Sequence, residues 1–175
     1  MKIILGVTFL ILLFVGCSKN QSAVKVAKPV VYEELHISDA SKLEQLEGSL
    51  EKWNALKESR GTTYQYTRKS VSSWGGIKSE TTIKVQDDFV ISRVYYVIND
   101  ENIITSSWRE EGFDALNDNL EGAPTKRMDD LYDTCKTILE NESNVSLSFD
   151  YNGILSECRY GKKGVMIENF VFLYH

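Results

Sequence analysis

Nucleophilic and acid–base chemistry needs a base held beside a serine or cysteine, and histidine is its usual carrier. The chain has two histidines. His36 precedes the first periodic segment and His175 is the last residue, and neither position has a pattern that would hold a ring against a nucleophile. Ser49-Leu50-Glu51-Lys52 has the S-x-x-K form of penicillin-recognising enzymes, but the companion S-D-N and K-T-G are missing. Both side chains are expected to face solvent beside the apolar stripe of a helix. With 25 Asp and Glu residues, a glycosidase pair roughly 5–9.5 Å apart could be built in many ways, and the sequence selects none. Asn117, Asn119, Glu121 and Gly122 fall near calcium-loop positions, but Met128 stands where a bidentate Glu is required. Asp114, Asp118 and Glu121 therefore read as a solvated acidic loop, and no metal is expected. No phosphate-binding glycine loop, zinc motif or cofactor fingerprint occurs. The expectation is a protein that is not an enzyme and carries no cofactor.

The three cysteines carry more information. Met1-Lys2 precedes an apolar run from Ile3 to Gly16. As a helix it would reach roughly 20 Å, short of the ~30 Å hydrocarbon core, so residues 1–16 read as a signal peptide. It ends at Phe14-Val15-Gly16-Cys17, which resembles the bacterial lipobox, with Phe14 where Leu is usual. The resemblance implies that the Cys17 thiol takes a diacylglycerol, that the chain is cut before it and that the new amine is acylated with palmitate or a similar chain. Several acyl chains at ~0.8 kcal/mol per buried methylene make a stable anchor. Ser18 in place of Asp points to the outer membrane of a bacterial cell envelope.

Cys135 and Cys158 remain, an even pair in an oxidising compartment, and the default reading is a disulfide. It would close a loop of about 24 residues, worth roughly 3 kcal/mol in the chain-entropy model. Two free thiols at a metal or redox site lack a nearby His or a C-x-x-C spacing. The formal charge of −5 becomes slightly more negative once Lys2 is removed, which argues against a nucleic-acid partner.

Residues 17–37 read as the lipidated cysteine and a tether whose Lys19, Lys25 and Lys28 are placed to meet anionic head groups; "VVYEELHI" within it could equally add a strand. Residues 38–175 are long enough for one domain. Leu43, Leu46, Leu50, Trp53 and Leu56 form one helical stripe, with Ser41 and Glu44 as a capping box and Gly61 at the exit. Then come a hairpin turning at Gly75-Gly76, an Asp87-Asp88 turn and a third strand with apolar residues on both faces. Residues 99–127 show no sustained period apart from a possible short strand at Ile103–Thr105. Met128, Leu131, Cys135, Ile138 and Leu139 make a second helical face. A second hairpin follows, with Asn152-Gly153 as a type I′ turn; it puts Val145, Leu147, Phe149, Tyr151, Ile154, Ser156, Cys158 and Tyr160 on one face. "VMIENFVFLYH" is a last strand. The predicted class is α+β, an antiparallel sheet packed against two main helices in the order α-β-β-β then α-β-β-β.

The aromatic residues complete the candidates. Trp74 at the first hairpin tip and Trp108 in "SSWREEG" fall in predicted loops, where an exposed indole could anchor a polysaccharide or a protein partner. The plainer reading folds each back over the small core.

The run "WNALKESRGTTYQYTRKSVSSW", the later "DDLYDTCKTIL" and "FDYNGILSECRY" resemble a group of small bacterial lipoproteins known as domain of unknown function 6174. Trp53, Tyr64, Tyr66, Leu131, Asp150 and Gly153 are the matching positions. The resemblance implies an exported α+β domain and brings no activity, ligand or catalytic residue. The expected function is a membrane-tethered envelope lipoprotein acting as a binding or structural module. The alternatives are an inhibitor-like module acting on an envelope enzyme, since tandem α-β-β-β units resemble the layout of secreted β-lactamase inhibitors, and a carboxylate-dependent envelope hydrolase.

Overall fold

A computed structural model describes residues 39–71, 78–112, 114, 116 and 118–173. The lipobox with Cys17, the tether, Trp74 and both histidines lie outside them. Among the described residues no helix is long and apolar enough to cross a membrane.

Helix α1 is Asp39–Arg60 and α2 is Met128–Asn141; the strands are β1 (Tyr64–Val71), β2 (Lys78–Gln86), β3 (Phe89–Ile98), β4 (Ile104–Glu111), β5 (Ser146–Phe149), β6 (Leu155–Tyr160) and β7 (Lys163–Phe172). All pairings are antiparallel, in one seven-stranded sheet of order β4-β3-β2-β1-β7-β6-β5. The α+β class holds, but the element order is α-β-β-β-β then α-β-β-β, which corrects the predicted repeat of two equal units. The extra strand is β4, in the stretch without a period. It pairs only with β3, at the sheet's edge, and most of its side chains are exposed. An edge strand with little to bury has no reason to alternate.

Tyr64, Tyr66, Ile83, Val85, Val165 and Ile167 line the face that the helices cover. The α1 stripe meets them through Leu46 and a fully buried Trp53. The Trp53 ring sits edge-on to Tyr64 and Phe170 and stacked on Phe172. The start of α2 is tied to these aromatics. Tyr64 Oη accepts from Met128 N at 3.1 Å, Tyr66 Oη donates to Lys126 O, and Trp53 Nε1 donates to Asp129 Oδ1 at 3.2 Å. Lys57 pairs with the same carboxylate. Asp130 accepts from Arg127 N at 2.8 Å, so a carboxylate closes the helix end where the dipole favours negative charge.

Three local expectations change. Helix α1 includes Asp39 and Ala40, so Ser41 lies inside the first turn rather than capping it. Ser49 does not face solvent. It is 3% exposed, with Oγ 2.8 Å from Tyr132 Oη, because α2 packs against the flank of α1 as well as its stripe. The second hairpin turns over Asp150–Gly153, where the Asp150 carboxylate accepts from Asn152 N and Ile154 N. A bulge then sets Phe149 opposite Leu155 and Ser148 opposite Glu157. The extra residue breaks the strict alternation: Leu155 and Cys158 both point inward, whereas Tyr151 and Tyr160 are exposed.

Cys135 and Cys158 form a disulfide, both fully buried, joining α2 to β6. Replacing both by Ala should lower stability by about 3 kcal/mol in a denaturant titration. In the folded wild type neither should react with an alkylating reagent unless reductant is added.

Among the described residues no α-helix covers the far half of that face. There the chain between β4 and α2 crosses it, held by Arg93 and Glu110, which are 2% and 3% exposed. Arg93 donates through Nε and Nη2 to the two Glu110 oxygens at 2.8 and 3.0 Å. It also reaches Ala123 O at 3.1 Å and Asn119 O at 2.6 Å, while Glu110 Oε1 accepts from Asn119 N at 2.7 Å. Removing one partner of such a pair strands the other's charge. Glu110→Ala should therefore cost about 3–5 kcal/mol in urea unfolding and speed amide exchange at Asn119.

Candidate functional site

Strands β1 and β7 stay paired only as far as Arg68 opposite Ile167. Beyond that point β1 continues along β2 and β7 along β6, so the sheet parts and a cleft of about 550 Å³ opens between them. Arg68, Lys69 and Ser70 form one wall, Gly164 and Met166 the other, and Gly122–Pro124 the rim on the helix side. Ser79 and Thr81 of β2 and Arg159 and Lys162 of the β6–β7 hairpin complete it.

The rim is fixed by close contact. Ala123 N donates to Thr81 Oγ1 at 2.9 Å. A Cβ on Gly122 would lie 3.0 Å from that oxygen and from Tyr95 Cδ2, so the segment can run this close to the sheet only with glycine there. Gly164 is more constrained still: at φ +128° an added Cβ would meet Cys158 O at 2.2 Å.

Among the described residues, four cations and no carboxylate line the cleft. Two of the cations have acidic partners just outside it. Lys69 bridges Glu80 and Glu168 across the strands, and the Glu168 hydrogen bond holds its pKa above the ordinary lysine value. Arg159 pairs with Glu157 at 2.7 Å. Arg68 and Lys162 have no carboxylate partner among the described residues. Arg68 Nη2 donates to Gly164 O at 3.0 Å, but its Nε is buried without a hydrogen-bond partner among the described residues. Burial lowers the Arg68 pKa below its ordinary value, and Tyr66 opposes this only in part.

Hydroxyls and cations make this a lining rich in hydrogen-bond donors, whose proton acceptors are carbonyls and hydroxyls. That suits holding a ligand more than activating a nucleophile. The opposite face of the sheet carries a more open trough lined by Gln65, Thr82, Lys84, Tyr96 and Arg109, with Arg109 paired to Glu111 at 3.4 Å.

Trp108 lies on β4 rather than in a loop. It is half-buried, stacked on Tyr95 at 5.2 Å with the Arg93 guanidinium 4.6 Å over its ring. These contacts belong to the Arg93–Glu110 cluster, and Trp108 does not line the cleft. Lys52 is exposed while Ser49 is buried, so the S-x-x-K pair is not presented together. Among the described residues no three His, Cys, Asp or Glu side chains gather as metal ligands would. The positions behind the family resemblance serve packing and turn geometry: Trp53, Tyr64, Tyr66 and Leu131 are buried, and Asp150 and Gly153 shape the second hairpin.

The cleft residues were not among the sequence candidates. The available signal was the pair of basic clusters "TRKS" and "CRYGKKG" in a chain of negative net charge. Nothing local says that the two meet. Compared with family models, with curated proteins and with solved structures, the chain matches none.

Gly164→Ala should force β6 and β7 apart at the cleft wall and remove the seat of the Arg68 hydrogen bond. A loss of about 2 kcal/mol or more is expected in thermal or denaturant unfolding, against no loss for Ala at Gly48, a helical position where an added Cβ meets nothing within 4 Å.

Proposed function

We propose that this protein is a lipid-anchored cell-envelope lipoprotein of the domain-of-unknown-function 6174 kind, acting as a non-enzymatic binding module outside the cytoplasm, with the parted-sheet cleft as its binding surface. The observation that carries the reading is the buried Cys135–Cys158 disulfide, a bond that persists in oxidising compartments and is rare in the cytosol. It agrees with the leader ending at Cys17. Cut at that point, the protein is held to the membrane by acyl chains and reaches into the envelope on its lysine-bearing tether, and Ser18 directs it to the outer membrane. A donor-lined cleft on a cross-linked domain suits retention of an envelope component, polysaccharide or protein, better than turnover.

The test is fractionation with mass measurement of the full chain and of Cys17→Ala. The wild type should sediment with envelope membranes and partition into detergent, with a mass matching loss of residues 1–16 and gain of acyl chains. The variant should keep its leader and carry no lipid. Wild-type protein of unmodified mass, or a variant with the processed, lipidated mass, would refute the anchor.

A further inference from the structure

We propose that the cleft between β1 and β7 binds a phosphate group, seated between the Arg68 guanidinium and the Lys162 ammonium. This rests on the reading of the cleft as the binding surface and adds the chemistry of what it holds. Four observations lead to it.

The first is charge. The lining includes Arg68, Lys69, Arg159 and Lys162 without an acid, and the acids nearby are spent on Lys69 and Arg159. Four cations stand against three acids, Glu80, Glu168 and Glu157, so the cleft keeps a net positive charge, centred on Arg68 and Lys162, in a protein whose net charge is negative. The second is the state of Arg68. A charge taken partly out of water is costly unless paired and hydrogen-bonded, and among the described residues Arg68 has one backbone carbonyl as its bonded partner and a buried Nε with none. An anion in the cleft would supply the missing counter-charge. The third is geometry. Arg68 belongs to β1 and Lys162 to the β6–β7 turn, so cations from two different elements line the one cleft, and Ser70 and Ser79 line it as well. Donors converging from several directions match the oxygens of a tetrahedral anion better than the plane of a carboxylate, and a guanidinium fork is well suited to phosphate. The fourth is rigidity. The Arg68 guanidinium is tethered to Gly164 O, a position that admits no side chain, and the rim is pinned through Thr81 to the sheet, so little ordering would remain to oppose binding.

A phospholipid head group and a water-soluble phosphate-bearing molecule present the same group, and the anchor would keep the cleft within reach of either. The full chain, purified in an uncharged detergent, serves as the sample. Its thermal midpoint is followed as inorganic phosphate replaces chloride at constant ionic strength. A ligand that binds only the folded state raises the midpoint in a saturable way, and this is the expected result. Lys162→Gln and Arg68→Gln should each weaken the apparent phosphate affinity by roughly tenfold or more. Lys84→Gln, on the opposite face, should leave it unchanged. Lys162 is exposed in a turn, so its variant remains informative should Arg68→Gln fail to fold. Phosphatidylglycerol added to the micelles should compete with phosphate if the head group is the ligand; a phosphate response without that competition assigns the site to a soluble phosphate compound.

The proposal is overturned by a midpoint no higher in phosphate than in chloride. It is equally overturned by a response that survives Lys162→Gln, is weakened as much by Lys84→Gln, or is matched by acetate. A failed phosphate response with Cys17-dependent fractionation intact removes the anion site alone. A phosphate response in a chain that proves not to be lipidated removes the anchor and leaves the site standing.

Discussion

The start of α2 is the point from which the domain is organised. Three aromatic side chains of α1 and β1 send their polar ends to one turn of backbone: Tyr64 to Met128 N, Tyr66 to Lys126 O and Trp53 to Asp129. Their rings are buried in the core while their polar tips reach the helix end: Tyr64 accepts from its otherwise unmet Met128 amide, and Tyr66 and Trp53 donate to the Lys126 carbonyl and the Asp129 carboxylate. Burial pushes the Tyr64 and Tyr66 hydroxyls far above the ordinary tyrosine pKa, so both stay protonated and Tyr66 remains a donor. One pairing thus fixes how α2 lies on the sheet and how the chain arriving from β4 must descend toward it.

Two further devices hold what that arrangement leaves open. On one side the disulfide joins the middle of α2 to β6. On the other, Arg93 and Glu110 hold the segment leading to α2 by its own carbonyl and amide groups. The three restraints grip the same connection at its beginning, its end and the body of the helix that follows. Its route past Thr81 is in turn what gives the cleft a rim. The cleft is in this sense a by-product of how the sheet's far half is covered: where an α-helix would have filled the space, a thin strap leaves it open.

What the sequence disclosed depended on whether the determining contacts were local. The α1 stripe, the α2 face and the pairing of Cys135 with Cys158 follow from periodicities within single segments and from an even count of cysteines. Of strand β4 only the start, as a possible short strand at Ile103–Thr105, was legible, because an edge strand of "ITSSWREE" buries little on either side. Ser49 was misplaced because its burial is caused by Tyr132, 83 residues away. The bulge near Ser148 altered the facing of the second hairpin through a single inserted residue, which no period-two count detects. The cleft was least legible: Arg68 and Lys162 belong to opposite ends of the domain sequence, and only the parting of β1 from β7 brings them together.

The position of β7 has a consequence for how the molecule is made. It lies between β1 and β6, and no other strand links the β1–β4 group to the β5–β6 pair. Being later in the chain than the strands on either side of it, it arrives when both groups already exist, each with an unsatisfied border. Until it inserts, the unfinished sheet holds two adhesive edges that could pair with a neighbour's.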